Sequence, residues 1–211
     1  MAKKSVTTDV AAGDRVRLAQ MRIVLVSFTI RGLTPLIQHQ WSDEALQKIR
    51  NKHQGEKAKT RDVRNPKQEG QAAAYRTDKG RYGVPAMAIK SAIIAAAHKD
   101  IGMEKTAVRK ALFVITEDSR RILEMECDEP VINEDVVGIG VGSMDLRYRP
   151  YFTRWSVKVQ AKLDTELLSV ASLVTLVDRA GFGVGIGDWR PEKNGDNGRF
   201  EVDTLAGVLT S

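Results

Sequence analysis

From Arg22 to Arg31 the chain reads RIVLVSFTIR, a run of β-branched, aromatic and leucine residues closed by Gly32 and Pro35, and this pattern predicts a central strand. Residues 1–20 mix charge, Thr and Ala with no sustained period, which predicts a flexible N-terminal arm ahead of a single domain over 21–211. Ser42 and Asp43 can cap a short helix, EALQKIRNK. The stretch from Gly55 to Gly80 then carries Lys, Arg, Gln and Asn with almost nothing apolar to bury, so about 42–82 is expected to be an exposed insertion. Val84-Pro85 opens AMAIKSAIIAAAHKD, where Pro suits a first helical turn and Ala, Ile and Met recur on one face, which predicts a buried helix ended by Gly102.

Thr106 to Leu112 reads as a further short helix, and LFVIT, RILEMEC and PVI read as strands joined by polar turns. Tyr151 to Leu163 places Trp155, Val157, Val159, Ala161 and Leu163 at every second position, as one half-buried strand should, with Trp155 on its apolar face. Thr165 to Arg179 carries Leu167, Leu168, Ala171, Leu173, Val174, Leu176 and Val177 at helical spacing. A glycine-rich loop from Gly181 to Gly198 leads into a last strand, RFEV. Strands and helices in this order make an α+β chain.

Bulk properties narrow the class. At 211 residues the chain can bury a core without disulfides or metals, and the single Cys127 cannot form an internal bridge. Neither a signal-type apolar run near the start nor an apolar stretch approaching the ~20 residues of a membrane span is present, so a cytoplasmic protein with no membrane association is expected. Thirty-three Lys and Arg against 27 Asp and Glu give +6, which favours an anionic partner. The excess is local: Lys48 to Arg81 holds eleven basic and four acidic residues, more surplus than the whole chain.

The loop from Gly181 to Gly198 lacks the GxxxxGK[ST] of a Walker loop, and it follows a helix instead of a strand, so it is no Rossmann fingerprint and no nucleotide cofactor is expected. Gly185 and Gly187 would allow close backbone approach to phosphate, while Trp189, Arg190, Lys193 and Arg199 supply a stacking surface and charge. Arg147, Tyr148, Arg149, Tyr151, Arg154 and Trp155 form a second basic and aromatic patch, although Trp155 lies in phase with the apolar face of its strand. Trp41, after the first strand, can cover the sheet.

GVGIGDWRPEKNGDNGRFEV, a glycine-rich loop between the final helix and the last strand, resembles the hallmark of the RAMP superfamily, the ferredoxin-like RNA-binding proteins of CRISPR systems. Val84-Pro85-Ala86-Met87-Ala88-Ile89-Lys90-Ser91 is similar in layout to the first core helix of CRISPR effector backbone subunits, the Cas7 family, although Ala86, Met87, Ala88 and Ser91 replace Gly and Ser residues, so that only Pro85 and Lys90 transfer. Phage products of similar appearance extend the resemblance to a phage-encoded relative. The resemblance implies a ferredoxin-like or RRM-like antiparallel sheet backed by helices, with the basic segment inserted, that binds single-stranded nucleic acid, RNA favoured over DNA. It implies that Lys90 touches phosphate at its helix start and that Lys57, Lys59, Arg61, Arg64, Lys67, Arg76 and Arg81 clamp the strand, with Tyr75 and Tyr82 for stacking. It further implies a homo-oligomer along the strand, with other subunits of a ribonucleoprotein complex as partners.

His39, His53 and His98 stand apart with no metal spacing, so no metal is expected. A chain that binds without catalysing is the expectation. The alternatives are an assembly protein that forms a ring or filament without nucleic acid, and an endoribonuclease that uses His39 as general base or acid, with Asp62 near the scissile phosphate.

Overall fold

The computed structural model describes residues 21–41, 43–55, 64–140 and 142–210. The arm expected over 1–20, and Lys57, Lys59, Arg61 and Asp62, lie outside the described residues. In chain order the elements are β1 (Ile23–Gly32), β2 (Leu36–Ile37), α1 (Asp43–His53), α2 (Pro66–Ala72), β3 (Gly83–Pro85), α3 (Ala86–Ile101), α4 (Lys105–Ala111), β4 (Leu112–Ile115), β5 (Ile122–Cys127), β6 (Val131–Gly140), β7 (Ser143–Phe152), β8 (Trp155–Asp164), α5 (Val170–Arg179), β9 (Phe200–Val202) and β10 (Val208–Thr210).

Alternation along β1 and β8 builds the centre. The two strands pair antiparallel from Ile23 opposite Asp164 to Arg31 opposite Ser156. Val26, Phe28 and Ile30 from one strand and Trp155, Val157, Val159, Ala161 and Leu163 from the other are all buried, because a period of two sends them to one face. That face receives Ile89, Ile93, Ala96 and Ala97 of α3 and Leu173, Leu176 and Val177 of α5 in one core. Helix α3 stops where Gly102 turns left-handed at φ 65. Helix α5 starts where the Ser169 side chain accepts the Ser172 N–H.

Strands β9 and β10 flank β1, and β4 and β5 flank β8 on its other edge. Followed along the chain, the layer reads β1, α3, β4–β5, β8, α5, β9–β10, with the fourth strand unit beside the first and the third between the first and the second. This is an α+β fold in which an antiparallel sheet is backed by helices, the ferredoxin-like βαββαβ order. Trp155 closes one end of it: its Nε1–H donates to the Thr34 carbonyl at 2.9 Å, and a Cβ on Gly32 would come within 2.3 Å of the indole.

Two expectations change. The strand read from Tyr151 to Leu163 is interrupted at Thr153 and Arg154, and its start belongs to a long hairpin of β6 and β7 that forms a second sheet with β2. The hairpin carries Glu134, Asp135, Asp145, Gly138 and Gly140 and has solvent on much of both faces, so it shows no simple alternation to read. The segment Gly55 to Gly80 is not wholly an exposed excursion: its second half folds into α2, where Asn65 caps the Gln68 N–H and Pro66 fills the first turn. Small residues make this possible. Ala73 and Ala74 are buried, and Gly70 lies so close to the hairpin that a Cβ would come within 2.4 Å of Ile132.

Trp41 does not cover the sheet; it is exposed, at 57%. Among the described residues no helix is long and apolar enough to cross a membrane.

Candidate functional site

Past α5 the chain widens into a π-helical turn, Ala180–Val184, and the glycine-rich loop begins at Gly185 with φ 69. Its glycines are used for packing. A Cβ on Gly187 would come within 2.4 Å of the Ile37 carbonyl, and one on Gly198 within 1.7 Å of the Ile186 carbonyl. The backbone amides are engaged as well: Gly185 donates to Ala180, Ile186 to Gly198, Asp188 to Ile37 and Gly198 to Pro35. The phosphate-cradling role expected for the Gly185 amide is therefore corrected, since its N–H already has a carbonyl at 2.8 Å. The loop is a rigid wall stitched to β2, and it holds Trp189 at φ 54, an unfavourable region for so large a side chain, with 44% of it exposed.

This wall faces α3 across a groove made of two adjoining hollows, of ≈ 200 and ≈ 280 Å³, that share Ala88, Ile186, Gly187 and Arg190. The floor along α3 is Ala88, Ser91, Ala92 and Ala95, residues at helical spacing whose small side chains leave the space open. Arg190 projects from the loop, with Nη1 donating to the Gly187 carbonyl at 3.0 Å and Nη2 to Glu192 at 3.0 Å. At the head of the groove, Leu36, Gln38, His39, Tyr75, Val84, Pro85 and Asp188 line the smaller hollow.

Gln38 organises that head. Buried, it donates from Nε2 to the Gly83 carbonyl and accepts the Tyr75 N–H, both at 2.9 Å, which fixes the last part of the insertion and the start of β3 beside β2. Burial holds the His39 imidazole below its ordinary pKa, opposed by the Asp188 carboxylate and reinforced by the Arg147 and Arg149 cations. Burial also pushes the Tyr75 phenol up, with Asp188 acting in the same sense.

The structure gathers some of the expected residues here and disperses others. Gly185, Gly187 and Arg190 line the groove, and the charge of Arg147 is felt by His39. Trp189 and Lys193 are exposed on the same loop. Lys90 is a correction: two positions past Ala88 it sits on the opposite side of α3, donates to the Arg109 carbonyl at 3.1 Å and lies 4.3 Å over the Phe113 ring. Arg149 is another, because its side chain is only 3% exposed and is bound by Asp135 and Asp188, each at 2.7 Å. Several basic residues of the insertion are also paired internally. Arg64 binds Glu69 and Asp145, Arg81 binds Glu124, and Arg76 lies 4.1 Å over Tyr82, whose hydroxyl donates to Glu129. Lys67 is exposed, and Arg199 lies 4.8 Å over Phe182.

Asp188 and Gln38 escaped the sequence reading. Gln38 carries no pattern of its own, but Asp188 follows the glycine run directly, beside Trp189 and Arg190, and an acid among glycines and cations was a usable signal.

The fold and groove define an α+β, ferredoxin-like protein with a groove between a helix and a glycine-rich loop. No family model matches the sequence, and no curated protein does. Among solved structures the chain is similar to the crystal structure of Cmr6 from Pyrococcus furiosus, with 11% identity and a TM-score of 0.39 over 87% of this chain and 100% of that one, a likeness too loose to carry function across.

Proposed function

We propose that the chain binds single-stranded nucleic acid, RNA in preference to DNA, without cleaving it, and that several copies line up along one strand as in a ribonucleoprotein backbone. The observation that supports this is the shape of the groove. Two joined hollows make an extended channel suited to a chain-like ligand, with a floor of small residues, Arg190 inside and Trp189 exposed on the bordering loop. A sequence-tolerant binder needs a cation for phosphate and an aromatic face for bases, and both stand here on a loop fixed by its own hydrogen bonds.

The test is a titration of labelled single-stranded RNA and DNA of equal length at about 50 and 200 mM salt, with the mass of the complex measured. Binding that weakens steeply with salt, prefers RNA and adds several subunits per strand is expected, and Trp189→Ala should weaken it by about fivefold or more. Absence of binding to either strand at the lower salt would overturn the proposal.

A second reading, assembly without nucleic acid, is favoured by the exposed apolar row of Val136, Met144 and Leu146 on the β6–β7 hairpin, which suits a contact between protein surfaces. An oligomer that keeps its mass after nuclease treatment, with no strand bound, would favour it.

A further inference from the structure

Helix α5 does not run straight into the glycine-rich loop. The π-helical turn Ala180–Val184 lies between them, with Ala180, Gly181 and Val184 buried and Phe182 exposed, at 69%. A single π turn at the end of a helix is a frequent companion of functional sites. Gly181 fixes its placement, because a Cβ there would come within 1.8 Å of the Phe200 carbonyl. The turn is thereby pressed onto the start of β9, and the next side chain, Phe182, is left pointing outward. Arg199, the residue before Phe200, lies across it, with the guanidinium carbon 4.8 Å from the ring centre.

This pair has the chemistry of a contact surface. Phe28, Phe152 and Phe200 are buried, as a phenyl ring in water would favour, while Phe182 keeps one face to solvent under a cation. The hydrogen bonds of Arg199 among the described residues are made by its backbone, which donates to Thr34 Oγ1 and accepts from Leu33. Its Nε is sealed from solvent, but the two Nη groups are not, so charge and donors stay available beside the ring.

The pair also stands where the groove ends. At the head, Asp188 on the wall faces Val84 and Pro85; toward the other end Val184 and Gly185 face Ala92 and Ala95. Wall and floor run in opposite chain directions, so the next residues outward are Gly183 and Phe182 on the wall and His98, three past Ala95, on α3, all of them exposed. Arg199 is tied to the same end, since the Gly198 carbonyl just before it accepts the Ile186 N–H at 3.0 Å.

We propose that Phe182 and Arg199 form a second stacking platform for the bound strand, at the end of the groove away from Trp189 and Arg190. A base lies on the open face of the Phe182 ring, and the Nη groups of Arg199 meet a neighbouring phosphate. The inference rests on the nucleic-acid reading and adds to it that the strand is held at both ends of the groove by a ring and an arginine. Any base has a face to stack, so the platform carries no base preference.

The full chain and its Phe182→Leu and Phe182→Tyr variants are titrated with a labelled RNA of about ten nucleotides, a length within the reach of small single-strand binders. The strand carries one 4-thiouridine, moved along it position by position, and residues crosslinked by light are read by mass spectrometry. Leucine keeps the apolar bulk and loses the ring, whereas tyrosine keeps the ring. Phe182→Leu is expected to weaken binding by about fivefold or more and Phe182→Tyr to stay within about twofold of the parent, with crosslinks at both Phe182 and Trp189. Full affinity in Phe182→Leu, with crosslinks at Trp189 and none at Phe182, overturns the platform and leaves the groove reading intact. Equal losses in the two variants without a crosslink at Phe182 assign the ring a structural role and also overturn it. A loss in Phe182→Leu alone, with crosslinks at Phe182 and none at Trp189, upholds the platform and overturns the groove reading. If Phe182→Leu fails to fold, the crosslinks of the parent chain decide, and absence of strand binding by the parent overturns both.

Discussion

The Arg149 guanidinium donates from Nη1 to Asp188 Oδ2 at 2.7 Å, and this contact ties the inserted β6–β7 hairpin to the glycine-rich loop. Asp135, on the neighbouring strand, takes the same guanidinium from the other side. A cation with 3% of its side chain exposed is tolerated only because two carboxylates face it. Removing one should leave the other in place, so Asp188→Asn or Asp135→Asn alone is expected to cost about 1–2 kcal/mol. Removing both leaves an unpaired buried charge, and the double variant should lose ~3–5 kcal/mol, more than the single losses combined. Urea unfolding of the four proteins measures this; strictly additive losses would show that the carboxylates do not share the charge.

The loop's glycines make a second, sharper prediction. Gly198 has φ 67, and a Cβ there would lie 1.7 Å from the Ile186 carbonyl, so Gly198→Ala meets both backbone strain and a backbone clash that no rotamer relieves. Gly80 has φ 77 with nothing within 4 Å, so Gly80→Ala meets the strain alone. Gly80→Ala should destabilise by about 1–2 kcal/mol, and Gly198→Ala by that amount plus roughly 1–3 kcal/mol of overpacking. Thermal melts that rank the two equally would refute the view that the loop is packed as a wall.

The core was legible in the sequence because its signals are local. The period of two in Trp155 to Leu163 and the helical spacing of Leu173, Leu176 and Val177 each name a buried face without knowledge of a partner, and all are buried together. The hairpin was not legible, since Val136 and Leu146 face solvent while Pro150 and Arg149 are buried at its base, and that burial comes from β2 and the loop, which are distant in sequence. The site was half legible. Glycine, tryptophan and arginine in one loop pointed to the correct wall of the groove, but whether a cation faces the groove or a carboxylate depends on tertiary contacts, as Lys90 and Arg149 show.

Lys90 and Arg190 can be separated by experiment. Both are cations near α3, yet Arg190 lines the groove and Lys90 points across the helix to Arg109 and Phe113. Arg190→Ala should weaken strand binding several-fold and lower the salt slope by about one, as loss of one phosphate contact does. Lys90→Ala should change neither by more than about twofold. Titrations of both variants across a salt series decide between the groove and a strand laid on the other side of α3, for which the two effects would be exchanged.

His39 gives the fold a pH dependence whose sign is fixed by its surroundings. Burial holds its pKa below the ordinary 6.5, the Arg147 and Arg149 cations act in the same direction, and the Asp188 carboxylate opposes them without reversing the result. The unfolded chain therefore binds a proton at a higher pH than the folded one does, and between 6.5 and the lowered folded value stability must fall as pH falls. Above 6.5 both states are neutral at this position and His39 contributes no slope. Within the window the loss cannot exceed ~1.4 kcal/mol per pH unit for one site. Asp and Glu side chains titrate mainly below this range, so it isolates the histidine, and His53 and His98 are exposed. Urea unfolding of the parent chain at several pH values from about 7.5 to 5 should show stability declining once the pH drops below 6.5, and His39→Gln should flatten that decline. A decline that survives the substitution unchanged would mean that the imidazole is not held neutral in the fold.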